Sequence, residues 1–137
     1  MCGGSLISTG DATSSTYEAK FELIQNFARK QNMLKRRYAH CCVHLNGYVY
    51  AIGGFDNRDV DGVPANTLDH CERFSIHDNK WIECSSMEEQ RAFAGAASIK
   101  DQFIYVFGGF KDYEMLSSVE KYDSVTDSWT TIYVKLP

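Results

Sequence analysis

Three groups of residues have the types and spacing that site chemistry requires. His40, Cys42 and His44 alternate along a run that reads as a strand, so their side chains would share one face. That is a zinc-type donor set, yet a tetrahedral site needs ligands that converge, and no fourth ligand stands near these three. Asn57-Arg58-Asp59-Val60-Asp61-Gly62 has the oxygen donors that open a calcium-binding loop, but the twelfth position, where such a loop carries a bidentate Glu, is Leu68. An acidic surface loop accounts for it better. Lys35-Arg36-Arg37 is too brief to track a phosphate backbone and reads as a solvated turn leading into a structural Arg37. Cys41 and Cys42 beside His40 and His44 form no catalytic dyad, because adjacency in sequence says nothing about catalytic geometry. There is no nucleophile elbow, phosphate loop or HExxH motif. The expectation is no catalytic residue, no metal site and no cofactor.

The elements that would position such groups are written twice. YAIGGF at residues 50–55 returns as YVFGGF at 105–110. Arg37 recurs as Arg91, Gly53-Gly54 as Gly108-Gly109, Glu72-Arg73-Phe74 as Glu120-Lys121-Tyr122, and Trp81 as Trp129, at separations of 54, 55, 48 and 48. The change of seven falls in one connection, after the double glycine, as an insertion does in a loop between fixed elements. A worn copy precedes these two: Gly3-Gly4, Tyr17 to Phe21, Phe27 and Met33 repeat the same order. The chain therefore divides into a degenerate partial repeat, 1–36, and two full repeats, 37–90 and 91–137. The counterparts of His40, Cys42 and His44 one repeat later are Ala94, Ala96 and Ser98, which bind no metal. A packed first strand explains both sets.

Each repeat reads as four short strands rich in Val, Ile, Tyr, Phe and Trp. In the last repeat they are Ala92 to Ile99, Gln102 to Phe107, Leu116 to Tyr122 and Ser128 to Tyr133, between turn signals at Lys100-Asp101 and Asp123 to Asp127. Phe21 to Leu34 can also be drawn as an amphipathic helix, though the repeat alignment favours strands there. Four-stranded units of about 50 residues without helices are the mark of a propeller. The double glycine followed by an aromatic, six residues and a Trp (Phe74 to Trp81, Tyr122 to Trp129) resembles the kelch repeat. The resemblance implies an all-β fold, a partial kelch-type β-propeller with four-stranded antiparallel blades. It also implies structural roles for Arg37, Gly53, Gly54, Glu72, Phe74, Trp81, Arg91, Gly108, Gly109, Glu120, Tyr122 and Trp129. The second strands, Tyr48 to Ile52 and Phe103 to Phe107, are continuously apolar, as when both faces are covered.

Composition narrows the partners. A net charge of −4 argues against nucleic acid and anionic membranes. No apolar run approaches the ~20 residues of a transmembrane helix. MCGGSLISTG lacks the charge and apolar core of a signal peptide, and Cys2 stands where myristoylation needs glycine. Five cysteines without a CxxC pair suit reduced thiols in a cytoplasmic protein. Known propellers close with about 4–8 blades, and fewer than three are written here, so the chain is expected to be a partial propeller that self-associates through open blade edges.

What remains is a binding platform. The resemblance implies protein partners held on the loop face of the blades, as in a substrate adaptor or scaffold. The candidate partner-binding residues are Asp56, Arg58, Asp59 and Asp61 on the longest loop, and Lys111, Asp112, Tyr113 and Glu114 on its counterpart. These combine charge of both signs with an aromatic anchor. The opposite face, Asn46-Gly47 and Ser75 to Lys80, is accounted for by turn chemistry. The alternatives are a fragment of a propeller enzyme, of the sugar-isomerase or copper-oxidase class, and a non-functional gene fragment.

Overall fold

Short apolar runs between turn residues form strands, and no helix, among the residues described by the computed structural model, which are 2–5, 12–19, 27–56 and 66–133. β1 (Cys2–Ser5), β2 (Ala12–Ala19) and β3 (Phe27–Arg29) make an antiparallel three-stranded sheet. β4 (Cys41–Leu45), β5 (Tyr48–Ile52), β6 (Cys71–Ser75) and β7 (Lys80–Cys84) make a four-stranded meander in sequence order. β8 (Gly95–Ile99), β9 (Phe103–Phe107), β12 (Val119–Asp123) and β13 (Ser128–Ile132) repeat it, with a hairpin, β10 (Phe110–Lys111) and β11 (Glu114–Met115), inserted between its second and third strands. The architecture is all-β, built of four-stranded antiparallel blades.

Several boundaries differ from the sequence expectation, each for a local reason. The first strand of the last repeat begins at Gly95 and not at Ala92, because Ala92 bridges Phe110 and Phe93 turns into the left-handed region at φ 54°. Its third strand begins at Val119 and not at Leu116, because Leu116 and Ser118 bond the double glycine instead: Leu116 N–H donates to Gly109 O, and Ser118 O accepts from Gly108 N–H. Gly3-Gly4 lies inside β1, opposite β2, and not in an exit beyond a strand end. The residue that follows it is Ser5, where the later copies have Phe55 and Phe110 to anchor the exit. Of the Phe21 to Leu34 stretch, Phe27–Arg29 is strand, and residues 20–26 lie outside the described part.

Phe110 to Met115 is not an irregular loop. It is a tight hairpin whose two turn residues, Asp112 (φ 48°) and Tyr113 (φ 67°), both sit in the left-handed region, as a mirror-image turn requires. Asp tolerates this; a bulky aromatic pays about 1–2 kcal/mol for it. Tyr113→Gly is therefore expected to raise stability by about 1 kcal/mol, read as an upward shift of the melting temperature. A lower melting temperature would show that the Tyr113 ring, 6.3 Å from that of Phe110, holds the hairpin.

The core lies between the two four-stranded sheets. Leu45, Tyr50, Ile52, Cys71 and Cys84 on one side meet Ile104, Val106, Tyr122 and Trp129 on the other, with the Tyr50 and Tyr122 rings edge-on at 5.6 Å. Full burial of each large side chain contributes about 1.5–3 kcal/mol, so this contact carries much of the fold. A smaller cluster, Met33, Ala51, Phe74 and Trp81, packs the other face of the first meander. The continuous apolarity of β9 is not matched by two-sided burial. Ile104 and Val106 are buried, whereas Phe107 on the opposite face is 40% exposed and Phe103 and Tyr105 are half-buried. The open flank of the last sheet is thus the Phe103–Tyr105–Phe107 face; Trp129 is on the covered one.

Candidate functional site

Two equivalent clamps hold the connections in place. A buried guanidinium must meet acceptors. Arg37 donates to Gly53 O at 2.8 Å, His70 O at 3.0 Å and Glu72 Oε1 at 2.7 Å. Arg91 does the same with Gly108 O at 2.8 Å, Ser118 O at 3.3 Å and Glu120 Oε1 at 2.7 Å. Each glutamate then reaches back to the preceding connection: Glu72 accepts from the backbone N–H of Leu34 and Lys35, and Glu120 from those of Glu88 and Glu89. The indoles complete the pinning, Trp81 Nε1 donating to Gln31 O at 3.0 Å and Trp129 Nε1 to Ser85 O at 2.7 Å. Each repeated glutamate and tryptophan thus contacts the turn that leads into its own blade.

The double glycines then let strand leave sheet. Gly54 N–H donates to Arg91 O at 2.9 Å, and Leu68 N–H donates to Gly54 O at 2.8 Å. A methyl group on Gly54 would stand 2.5 Å from Tyr38 O, and one on Gly109 would stand 2.7 Å from Ala92 O.

These anchors bring connections from both repeats to one polar cleft of about 350 Å³. Lys35 comes from the turn before the first meander, Asp56 and Asn66 from the two ends of its long loop, Asp69 from the return, Gln90 from the link between sheets, and Asp112 from the β10–β11 hairpin. Asp56 N–H is bonded to Asn66 O at 3.1 Å, while its buried Oδ1 has no hydrogen-bond partner among the described residues. Of the candidate residues, Asp56 and Asp112 meet here. Tyr113 follows at the hairpin tip, 75% exposed; Glu114 is exposed and Lys111 half-buried. Arg58, Asp59 and Asp61 lie outside the described residues. Lys35, read from sequence only as part of a short basic turn, and Asn66, Asp69 and Gln90 are not among the candidate partner-binding residues. The available signal was position, since Lys35 and Gln90 each stand within two residues of a clamp arginine.

The other chemical candidates disperse. Cys42 and His44 are exposed on β4, and among the described residues no three His, Cys, Asp or Glu side chains are grouped as metal ligands. Leu68, at the twelfth loop position, is buried.

His70 is the titratable member of the first clamp. Its Nδ1 lies 2.5 Å from Arg37 Nη2, and its Nε2 lies 3.3 Å from Glu83 Oε1. Guanidinium can only donate, so Nδ1 accepts and the ring is the neutral Nε2–H tautomer. Burial, then the Arg37 charge, lowers the His70 pKa below its ordinary 6.5. With the folded pKa depressed, the unfolded chain binds the proton first as pH falls. Stability is therefore expected to decline on acidification from about pH 6.5 down to the folded pKa and to level off below it. Ser118 is the counterpart in the second clamp, where its hydroxyl accepts from Arg91 Nη2 at 3.0 Å and does not titrate. His70→Ser should flatten this part of the profile in melts taken across that range. An unchanged slope would remove His70 as its source.

Comparison with known proteins agrees with the repeat geometry. The Kelch motif matches residues 36–88 and 90–132. Kelch-like protein 36 of Rattus norvegicus is 33% identical over 108 residues, which is 79% of this chain and 17% of that protein. Kelch-like protein 23 of Homo sapiens is 35% identical over 103 residues, 73% of this chain and 17% of its own length. Kelch-like protein 13 of Mus musculus is 34% identical over 84 residues, 61% and 12% of the two chains. The chain thus spans less than a fifth of the length of these relatives. The doubled glycine exits, the arginine–glutamate clamps and the tryptophan pins fall within the matched residues, and the chain belongs to the kelch-repeat family.

Proposed function

We propose that this chain is a non-enzymatic protein-interaction module, of the substrate-adaptor or scaffold type, that grips a protein partner through the cleft-bearing loop face. The observation that carries the reading is the cleft itself. Asp56 and Asp112, from loops in different blades, line one polar cavity together with Lys35 and Gln90. Backbone clamps hold the connections on which these residues sit, and recognition residues on loops over a rigid scaffold are the usual arrangement of binding domains. Mixed charge steers a partner and Tyr113 offers an exposed aromatic anchor. Arg58, Asp59 and Asp61 of the long loop, and Lys111 and Glu114 of the hairpin, belong to the same proposed surface. A cytoplasmic location is part of this reading and rests on the cysteine pattern.

The test compares the Asp56→Asn, Asp112→Asn double variant with His77→Ala on the opposite face, where His77 is fully in solvent. Asn keeps the shape of each side chain and tolerates the left-handed turn at Asp112. Affinity for a captured partner should fall at least about tenfold, or 1.4 kcal/mol, with the melting temperature nearly unchanged. Unaltered affinity in the cleft variant, with loss in the His77 variant, would move recognition to the other face.

A further inference from the structure

The antiparallel register places two thiols directly against each other inside the blade contact. Cys71 on β6 is paired with Cys84 on β7, and both face the cluster shared with the second sheet. Directly opposed residues of an antiparallel pair have Cα atoms about 4.5–5.5 Å apart, inside the 4.4–6.8 Å range that a disulfide spans. The Cys71 thiol is placed to donate toward the Cys84 sulfur, and the Cys84 thiol donates to Ile82 O at 3.9 Å. Cys41 lies in the same register row, beyond Ile52, but its thiol donates to Ala94 O at 3.1 Å and is engaged elsewhere. The fold does not call for cysteine at these places: the equivalent pair in the second meander is Val119 opposite Ile132.

We propose that Cys71 and Cys84 are an oxidisable dithiol site, which a peroxide-class oxidant converts into a cross-strand disulfide tying β6 to β7 at the blade contact. The two thiols are not equivalent. Cys71 is fully buried, and burial first of all pushes its pKa well up; Cys84 is 7% exposed, and the hydrogen bond from Cys71 lowers its pKa against the effect of burial. Arg73, on the same face of β6, adds a favourable charge, whereas Asp127, which accepts the Tyr122 hydroxyl proton at 2.6 Å, opposes it. The thiolate is the nucleophile, so Cys84 reacts first. Its sulfur attacks one peroxide oxygen, the O–O bond breaks, hydroxide leaves, and Cys84 becomes a sulfenic acid. The Cys71 sulfur then attacks the Cys84 sulfur, the S–O bond breaks, and the Cys71 proton leaves with that oxygen as water. Two thiols lose two electrons, and one peroxide becomes two waters with the proton released when Cys84 ionised.

The experiment treats the full chain with limiting hydrogen peroxide, blocks the remaining thiols with N-ethylmaleimide, and digests with trypsin. Cleavage after Arg58, Arg73, Lys80 and Arg91 leaves Cys71 and Cys84 on separate peptides, each without another cysteine. The expected result is a disulfide-linked pair of these two peptides and a drop of two in titratable thiols from the five in the sequence. The Cys71→Val, Cys84→Ile variant, which copies the apolar pair of the second meander, should fold as judged by its circular dichroism and lose no thiols under the same treatment. Full alkylation of both cysteines after peroxide, accumulation of Cys84 sulfinic acid without the linked peptide, or linkage of either cysteine to Cys41 or Cys42 would each overturn the proposal.

Discussion

Replacing Glu120 with alanine is expected to cost about 3–5 kcal/mol, as removal of one partner from a buried ion pair does. Against a total stability of about 5–15 kcal/mol for an ordinary domain, that is a large share. Glu120 is fully buried, and so is Arg91, which it meets at 2.7 Å. The variant would take from the guanidinium its fully buried carboxylate partner, leaving the half-exposed Glu89 at 3.5 Å, and would release the part-buried backbone N–H groups of Glu88 and Glu89. Those two residues lie in the link between the sheets, so the damage should spread to their mutual packing. The control is the double variant Arg91→Met, Glu120→Leu. With no charge left behind it should recover a substantial part of the loss, since an apolar pair of similar volume is often as stable as a buried ion pair. Urea denaturation followed by circular dichroism reads both. A Glu120→Ala loss below about 1 kcal/mol, the range of an exposed pair, would mean that the clamp is solvated.

Gly54→Ala should be among the most damaging single-methyl changes at the described glycines. Its φ of +95° is strained for any L side chain, and the added carbon would stand 2.5 Å from Tyr38 O and 2.9 Å from His40 Cβ. Two other glycines separate the causes. Gly47 has a φ of +77° with open space around it, so Gly47→Ala isolates conformational strain, about 1–2 kcal/mol. Gly95 lies in β8 with neither strain nor a neighbour, and Gly95→Ala should be neutral or slightly stabilising. The Gly54 variant should exceed the Gly47 variant by at least about 1 kcal/mol, a typical penalty for forcing extra atoms into a packed site. Equal losses at Gly54 and Gly47 would show that the backbone around Tyr38 yields.

Much of this structure was legible without coordinates because the chain states its solution twice. Arg37 and Arg91, Glu72 and Glu120, and Trp81 and Trp129 were identifiable by spacing alone. Their partners are backbone groups of turns at matching positions, so each role repeats with its residue. The short runs rich in Val, Ile, Tyr, Phe and Trp between turn signals, together with the doubled glycines, likewise gave away the strands, their order and the family. The cleft, the Cys71–Cys84 pair and the neutral tautomer of His70 were decided only by tertiary structure. Periodicity reports which face of a strand is covered but not by what, and the partner across a sheet depends on a register that turn geometry sets. Thus β9 reads as doubly buried although one of its faces is open, and Asp112-Tyr113 reads as loop although it closes a hairpin in a conformation neither residue prefers. Lys35, Asp56, Asn66, Asp69, Gln90 and Asp112 carry no motif between them, and converge because the clamps and glycine exits return each connection to the same end of the blades.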